Sequence, residues 1–198
     1  MNGITREIRT KGRQSGFTII ELVVVILLLG ILTATALPRF LEVTDEAHAA
    51  VVDATEAGLL TGMQLFRSQW IAESGSAGSA LADWDSMQAN SAGYPIGADL
   101  DADDALSDNT ECLEIFDYLL QVGHPTVAED TAESTSAAID QTNIDNVSAD
   151  FLAQFTAANT CTYAYIGQFS GTSAIADNDI PVIELNVSTG AVGRGTAL

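Results

Sequence analysis

The sequence predicts an α+β protein in which a long N-terminal α-helix packs on a small antiparallel β-sheet. Three observations indicate this fold class. The 21-residue apolar run Phe17–Leu37 would form a helix of roughly 31 Å at about 1.5 Å per residue. Helical spacing of apolar residues then continues to about Glu73. Finally, short segments near the C-terminus alternate between apolar and polar residues, as strands do.

The apolar run follows a basic segment. Four of the seven basic side chains and one of the 27 acidic ones lie in the first 16 residues. Because basic residues stay on the cytoplasmic side of a membrane helix, we expect a single membrane span with the remainder of the chain outside. A secretory signal would have a cleavage site after its apolar core, whereas Ser15-Gly16 stands before it. An uncleaved signal anchor is the alternative.

Charge excludes one class of partner. Three basic and 26 acidic side chains remain beyond Gly16, so no basic stripe is available to neutralise phosphates. We therefore expect no nucleic-acid binding, and we interpret the acidic body as a solvated surface.

Glu21 is an ionisable residue inside the apolar run, one helical turn after Phe17. Such residues usually face a partner. If the chain is cut after Gly16, the new amine of Phe17 can pair with Glu21 of the same chain or of a neighbouring subunit. A buried charge without a partner costs several kcal/mol, so pairing between subunits would set their stagger. The alternative is a carboxylate at the membrane edge that reaches water.

Pro38 predicts a bend or an end of the helix, because proline lacks the N–H that its helix position needs. An amphipathic half, residues 39–73, is expected to follow. Its predicted apolar face comprises Val43, Ala47, Val51, Ala54, Gly58, Leu65 and Trp70. Small residues, among them Gly58 and Gly62, predict close approach of the sheet. The predicted divisions are a leader (1–16), a hydrophobic helix (17–38), the amphipathic half (39–73) and a globular body (74–198).

Within the body, residues 74–90 read as a surface loop rich in Ser, Ala and Gly. Asp108 and Glu111 form the capping-box pattern of a short helix that extends to Leu120. Ser148 predicts a second short helix, which contains the three apolar residues Phe151, Leu152 and Phe155.

Three segments predict the strands of the antiparallel sheet: 161–167, 181–187 and 191–196. Ser188-Thr189-Gly190 would form the turn between the last two. Cys112 and Cys161 predict one disulfide that links the short helix to the sheet, with two buried thiols as the alternative. With only two histidines and no close cysteine pair, the chain does not fit a zinc site.

Alternating aspartates provide the one metal-like pattern. Asp99, Asp101 and Asp103 resemble the start of a calcium loop, but Asp104 replaces the glycine that an EF-hand needs. We favour a solvated acidic loop, with bound Ca²⁺ as the alternative, and expect no other cofactor.

The stretch from Gly16 to Glu21, GFTIIE, resembles the prepilin cleavage motif of the type IV pilin superfamily. The resemblance implies that a prepilin peptidase cuts between Gly16 and Phe17, that Phe17 is N-methylated, and that the retained helix packs against other pilin subunits. It also implies that Glu21 pairs with the new amine and that Pro38 contributes to assembly. The expected location is the bacterial inner membrane, where an assembly platform acts, and afterwards an extracellular pilus used for adhesion or motility.

Shorter segments resemble pilins of the mannose-sensitive haemagglutinin (MSHA) system, most of all its minor, biogenesis-type pilin. They are ALPRFLEVTDEA (36–47), RSQW (67–70), GYPIG (93–97) and ECLEIFDYLLQ (111–121). The major pilin of that system and a pseudopilin of a type II secretion system are the alternatives within the superfamily.

Functions of other classes are less consistent with the sequence. We expect no enzyme, because no nucleophile motif surrounds either histidine. A membrane-anchored periplasmic enzyme that hydrolyses its substrate with paired carboxylates is the alternative. No GxxxxGK[ST] loop is present, so assembly would draw its energy from a separate cytoplasmic motor. An adhesin that stacks sugars on Trp84 and Tyr94 is a further alternative.

Overall fold

The computed structural model describes residues 16–98, 106, 108–130, 144, 147–157, 159–169 and 180–195, apart from the side chain of Leu41. The chain divides into two compact units, Met1–Asp45 and Glu46–Leu198. Helix α1, Ile19–Ala72, is continuous in secondary structure and contains Pro38 in its interior. Of the two outcomes expected at Pro38, a bend or a helix end, the helix end is therefore wrong, because the helix on each side is long enough to tolerate one missing backbone hydrogen bond.

The second unit, Glu46–Leu198 and hereafter the body, has an α+β fold, which confirms the predicted fold class. After α1 come a two-stranded hairpin, β1 (Ala80–Leu81) and β2 (Met87–Gln88), and then helix α2 (Asn109–Leu120). Five further strands form one sheet in the order β3-β4-β5-β6-β7. Their bounds are Val127–Glu129, Phe151–Ala157, Thr160–Tyr165, Val182–Asn186 and Ala191–Arg194. The pairs from β4 to β7 are antiparallel, but β3 runs parallel to β4, so the sheet is mixed.

The sheet is covered on both faces in its centre. Residues at odd positions of β4, β5 and β6, such as Phe151, Tyr163 and Ile183, belong to the main core with α1 and α2. Their even neighbours Leu152, Ala164 and Val182 form a second apolar cluster. The helix predicted after Ser148 is wrong, because these residues form β4 instead. β4 is buried on both faces, and periodicity alone does not distinguish such a buried strand from a buried helix.

The buried face of α1 is rotated by about one residue from the predicted face. Val52, Leu59, Met63 and Phe66 are buried, whereas Leu65 is 56% exposed. The larger side chains occupy the core, and the smaller residues of the predicted stripe lie beside it.

The close approach at the two glycines involves α2 and not the sheet. A Cβ at Gly62 would lie 2.6 Å from the carbonyl oxygen of Leu119, and one at Gly58 would lie 2.6 Å from Leu120 Cδ2. These small residues therefore admit the last turn of α2.

The segment predicted as a loop, residues 74–90, instead carries the small hairpin and a 3-10 turn, Ala82–Trp84. Leu81, Trp84 and Met87 are buried there. They are isolated apolar residues in a polar composition, which is why the pattern did not indicate structure. Trp84 packs edge-on against Phe66 and donates to Gln69 Oε1 at 2.8 Å, which anchors the hairpin on α1.

Candidate functional site at the helix N-terminus

The predicted cleavage junction is exposed. Gly16 and Thr18 lie outside regular secondary structure just before α1, and Phe17 is 93% exposed. A Cβ built at Gly16 would meet nothing within 4 Å. The leader residues 1–15 lie outside the described residues. Within the described part, the junction is therefore open to a protease, and the first turn of helix begins only three residues later.

Glu21 is held by its own helix end. Its Oε2 accepts from the backbone N–H and from the hydroxyl of Thr18, both at 3.0 Å, while its own N–H donates to Thr18 Oγ1 at 3.2 Å. This reciprocal arrangement is a capping box, with Thr18 as N-cap and Glu21 three residues later. It supplies partners for two backbone N–H groups that the helix itself leaves free. Sequence reasoning missed Thr18, although the spacing Thr-x-x-Glu signals such a cap.

The apolar part of α1 is long enough to cross a membrane by length and composition, and no other helix among the described residues passes that test. Two threonines in this apolar part form hydrogen bonds with backbone carbonyls of the same helix. The hydroxyl of Thr33 donates to Leu29 O at 2.7 Å, and that of Thr35 donates to Leu32 O at 3.0 Å. Threonines that bond their own helix in this way are compatible with hydrocarbon or with a packed helical bundle. Glu21 is thus the one ionisable group in the first five turns of α1.

Comparison with known proteins supports the predicted resemblance to pilins. Residues 11–37 match the family described as the prokaryotic N-terminal methylation motif. The chain carries that motif. It is also 55% identical over 47 residues to the type IV narrow pilus major component PilA5 of Thermus thermophilus. That match covers 24% of this chain and 40% of PilA5, so the chain spans less than half the length of this relative. No solved structure matches the chain.

Three of the predicted residues, Gly16, Phe17 and Glu21, lie within the matched segment. Gly16 and Phe17 lie at the open junction, and Glu21 lies one turn inside the helix. Pro38 follows directly after the motif, inside α1. Cleavage after Gly16, N-methylation of Phe17, the pairing of Glu21 with an amine and the role of Pro38 in assembly stay predictions.

The predicted disulfide is confirmed. Cys112 in α2 and Cys161 in β5 are bonded, their Cα atoms are 5.4 Å apart, and both residues are fully buried. Beside them, the hydroxyl of Tyr163 donates to Cys112 O at 2.8 Å. Burial raises the pKa of Tyr163, and the negative charge of Asp117 raises it further. The predicted cap of α2 is also confirmed, with Asp108 and Glu111 bonded reciprocally.

The candidate ligands of the alternative calcium site, Asp99, Asp101 and Asp103, lie outside the described residues. Among the residues that the structure describes, no group of three His, Cys, Asp or Glu side chains could hold a metal ion.

The two aromatic residues considered for sugar stacking are engaged within the body. Trp84 is 6% exposed. Tyr94 is half-buried, with the Arg67 guanidinium 4.9 Å from its ring centroid. Gly190 packs so closely against the same ring that a Cβ there would lie 2.2 Å from Cε1. This packing does not favour the two rings as a platform for a carbohydrate.

Proposed function

We propose that this chain is a structural subunit of a type IV pilus, made as a prepilin and cut between Gly16 and Phe17. The observation that carries the proposal is the N-terminal methylation motif at the start of one long helix, whose first turn contains Glu21. The similarity to PilA5 and the disulfide-stapled α+β body support the same role. Prepilin peptidase, the inner-membrane assembly platform and other pilin subunits are the partners that this role requires.

Glu21 has two successive roles in this proposal. Before cleavage it caps the helix together with Thr18. After cleavage the amine of Phe17 becomes a cation one turn away, and Glu21 of the neighbouring subunit receives it as the apolar helices leave the membrane. A subunit at the wrong stagger leaves both charges buried without partners, which costs several kcal/mol. This penalty selects the correct stagger.

A matched pair of variants tests the role of Glu21. Glu21→Gln removes the charge but keeps a side-chain oxygen that can accept from Thr18 N–H. Thr18→Val removes the hydroxyl but keeps the charge, and loss of the cap costs the helix end about 1 kcal/mol. We expect Glu21→Gln to abolish surface filaments while the cleaved protein accumulates in the membrane, and Thr18→Val to retain them. Normal filament yield and stagger for Glu21→Gln would rule out charge pairing as the mechanism.

The finer assignment is to a minor subunit of an MSHA-like pilus, and the segments 67–70, 93–97 and 111–121 support it by their resemblance. Quantitative mass spectrometry of sheared filaments tests this assignment. A small fraction of this chain beside a more abundant pilin supports the minor role, whereas a dominant fraction identifies it as the major pilin. A secretion defect on deletion, with pili intact, would identify a type II secretion pseudopilin instead.

A further inference from the structure

We propose that a cleft around Arg67 on the body receives a carboxylate from a second copy of this chain in the filament. This inference rests on the proposed function, in the form in which copies of this chain lie next to one another in the filament, because it assigns a contact between those copies. The Arg67 cleft has a volume of about 410 Å³ and is lined by Met63, Gln64, Arg67, Ser68, Ile71, Tyr94 and Gly190.

The guanidinium of Arg67 is held in place by an aromatic ring and a backbone carbonyl. It lies over the Tyr94 ring, 4.9 Å from the centroid, and its Nε donates to Ala92 O at 3.2 Å. Among the described residues, no carboxylate forms an ion pair with it. A guanidinium fixed through Nε and its flat face keeps its terminal N–H groups for a planar, two-oxygen acceptor.

Charge identifies the class of acceptor. Of the chain's charged side chains, 23 of the 27 acidic and two of the seven basic ones follow Asp45. The second of these basic residues, Arg194, is already paired with Asp53 and with Glu56, the latter at 2.9 Å. Arg67 is therefore the cation of the body that has no carboxylate beside it in the described part of the chain.

A second copy is the occupant that this imbalance favours. Contacts along a helical filament are heterologous, so the Arg67 cleft meets a different patch of the next subunit. On so acidic a body, a patch that reaches the cleft brings a carboxylate with it. The partly apolar walls, with Ile71 59% exposed, reduce the competition from water once the neighbour covers them. Such a pair would oppose the repulsion between acidic bodies at close range.

Photo-crosslinking in filaments of the full chain tests the proposal directly. A photoreactive amino acid replaces Gln64, which lines the cleft and leaves Arg67 intact. We expect a crosslinked dimer of this chain, with the second peptide carrying Asp or Glu beside the crosslink. A crosslink to another molecule, or no crosslink in intact filaments, would overturn the proposal.

Substitutions of Arg67 provide the second measurement. Arg67→Met should lower the mass of sheared filaments by about three- to tenfold, and Arg67→Lys should restore part of it. Thr61→Ala, exposed on the same helix but outside the cleft, should leave the yield unchanged. Equal losses for Met and Lys would show that Arg67 only anchors Ala92, and would overturn the proposal. If the wild-type protein forms no filaments at all, both the proposed function and this inference are contradicted. If Arg67→Met forms normal filaments, only this inference is contradicted.

Discussion

The contact between α1 and α2 yields a quantitative prediction for Gly62→Ala. The new Cβ would lie 2.6 Å from Leu119 O and 3.0 Å from Leu119 Cβ, so the backbone at the end of α2 must move. Overpacking of this kind costs about 1–3 kcal/mol. The better helix propensity of alanine returns about 1 kcal/mol. Because a backbone carbonyl is the obstacle, we expect a net loss of about 1–2 kcal/mol.

Gly58→Ala is the matched control. Its Cβ would also lie 2.6 Å from a neighbour, but that neighbour is Leu120 Cδ2, the end of a flexible side chain. Rotation of Leu120 relieves the clash, so the gain in helix propensity should roughly cancel the cost. The two variants therefore have the same chemistry on the same helix face, and differ mainly in what they meet.

Thermal unfolding of the full chain in detergent, followed by near-ultraviolet circular dichroism, measures the difference. For a body of this size, about 1–2 kcal/mol corresponds to a difference in Tm of roughly 3–6 °C. We expect Gly62→Ala to melt lower than the wild type by that amount, and Gly58→Ala to melt near it. Equal melting temperatures for the two variants would refute the packing that we infer between α1 and the last turn of α2.

Other predictions concern the disulfide, its neighbouring tyrosine and the end of α2. Replacing both Cys112 and Cys161 by Ala should cost about 4 kcal/mol, because the bond closes a loop between residues separated by 49 positions; an unchanged Tm would contradict this. Tyr163→Phe should cost about 1 kcal/mol at neutral pH. Since the folded pKa of Tyr163 lies above its unfolded value of about 10, the unfolded state loses this proton first, and the free energy of unfolding falls as pH rises from about 10 towards the folded pKa. The stability of Tyr163→Phe should therefore fall less steeply than that of the wild type above pH ~10. Part of the fall should remain, because other tyrosines also have raised pKa values. An identical pH profile of stability would exclude this explanation. Gln121, which follows α2 at φ 57° and ψ −111°, adopts a conformation that glycine tolerates best. Gln121→Gly should stabilise by about 1 kcal/mol, and a lower Tm would argue against backbone strain there.

The sequence predicted those parts of the fold that depend on local chemistry. The cap at Asp108 and Glu111 needs only two side chains three residues apart, and it is present. The alternation in β5 and β6 reflects a sheet whose two faces have different neighbours. The motif at Gly16 and Phe17 is likewise a short linear signal.

Tertiary context determined what the sequence did not reveal. The strand β3 is three residues long and pairs in parallel with β4, and neither feature leaves a periodic signal. β4 is buried on both faces, so its run of apolar residues resembled a helix. Which face of α1 is buried depends on the position of α2. The sequence does not give that position, because Gly58 and Gly62 mark it only through their close contacts with Leu120 and Leu119.

The N-terminal mass of this chain in sheared, purified filaments tests the central claim most directly. We predict a mature chain whose first residue is Phe17 with one methyl group on its amine. A filament-borne chain that retains residues 1–16, or one that begins at another residue, would contradict cleavage at Gly16 and the pairing of the new amine with Glu21.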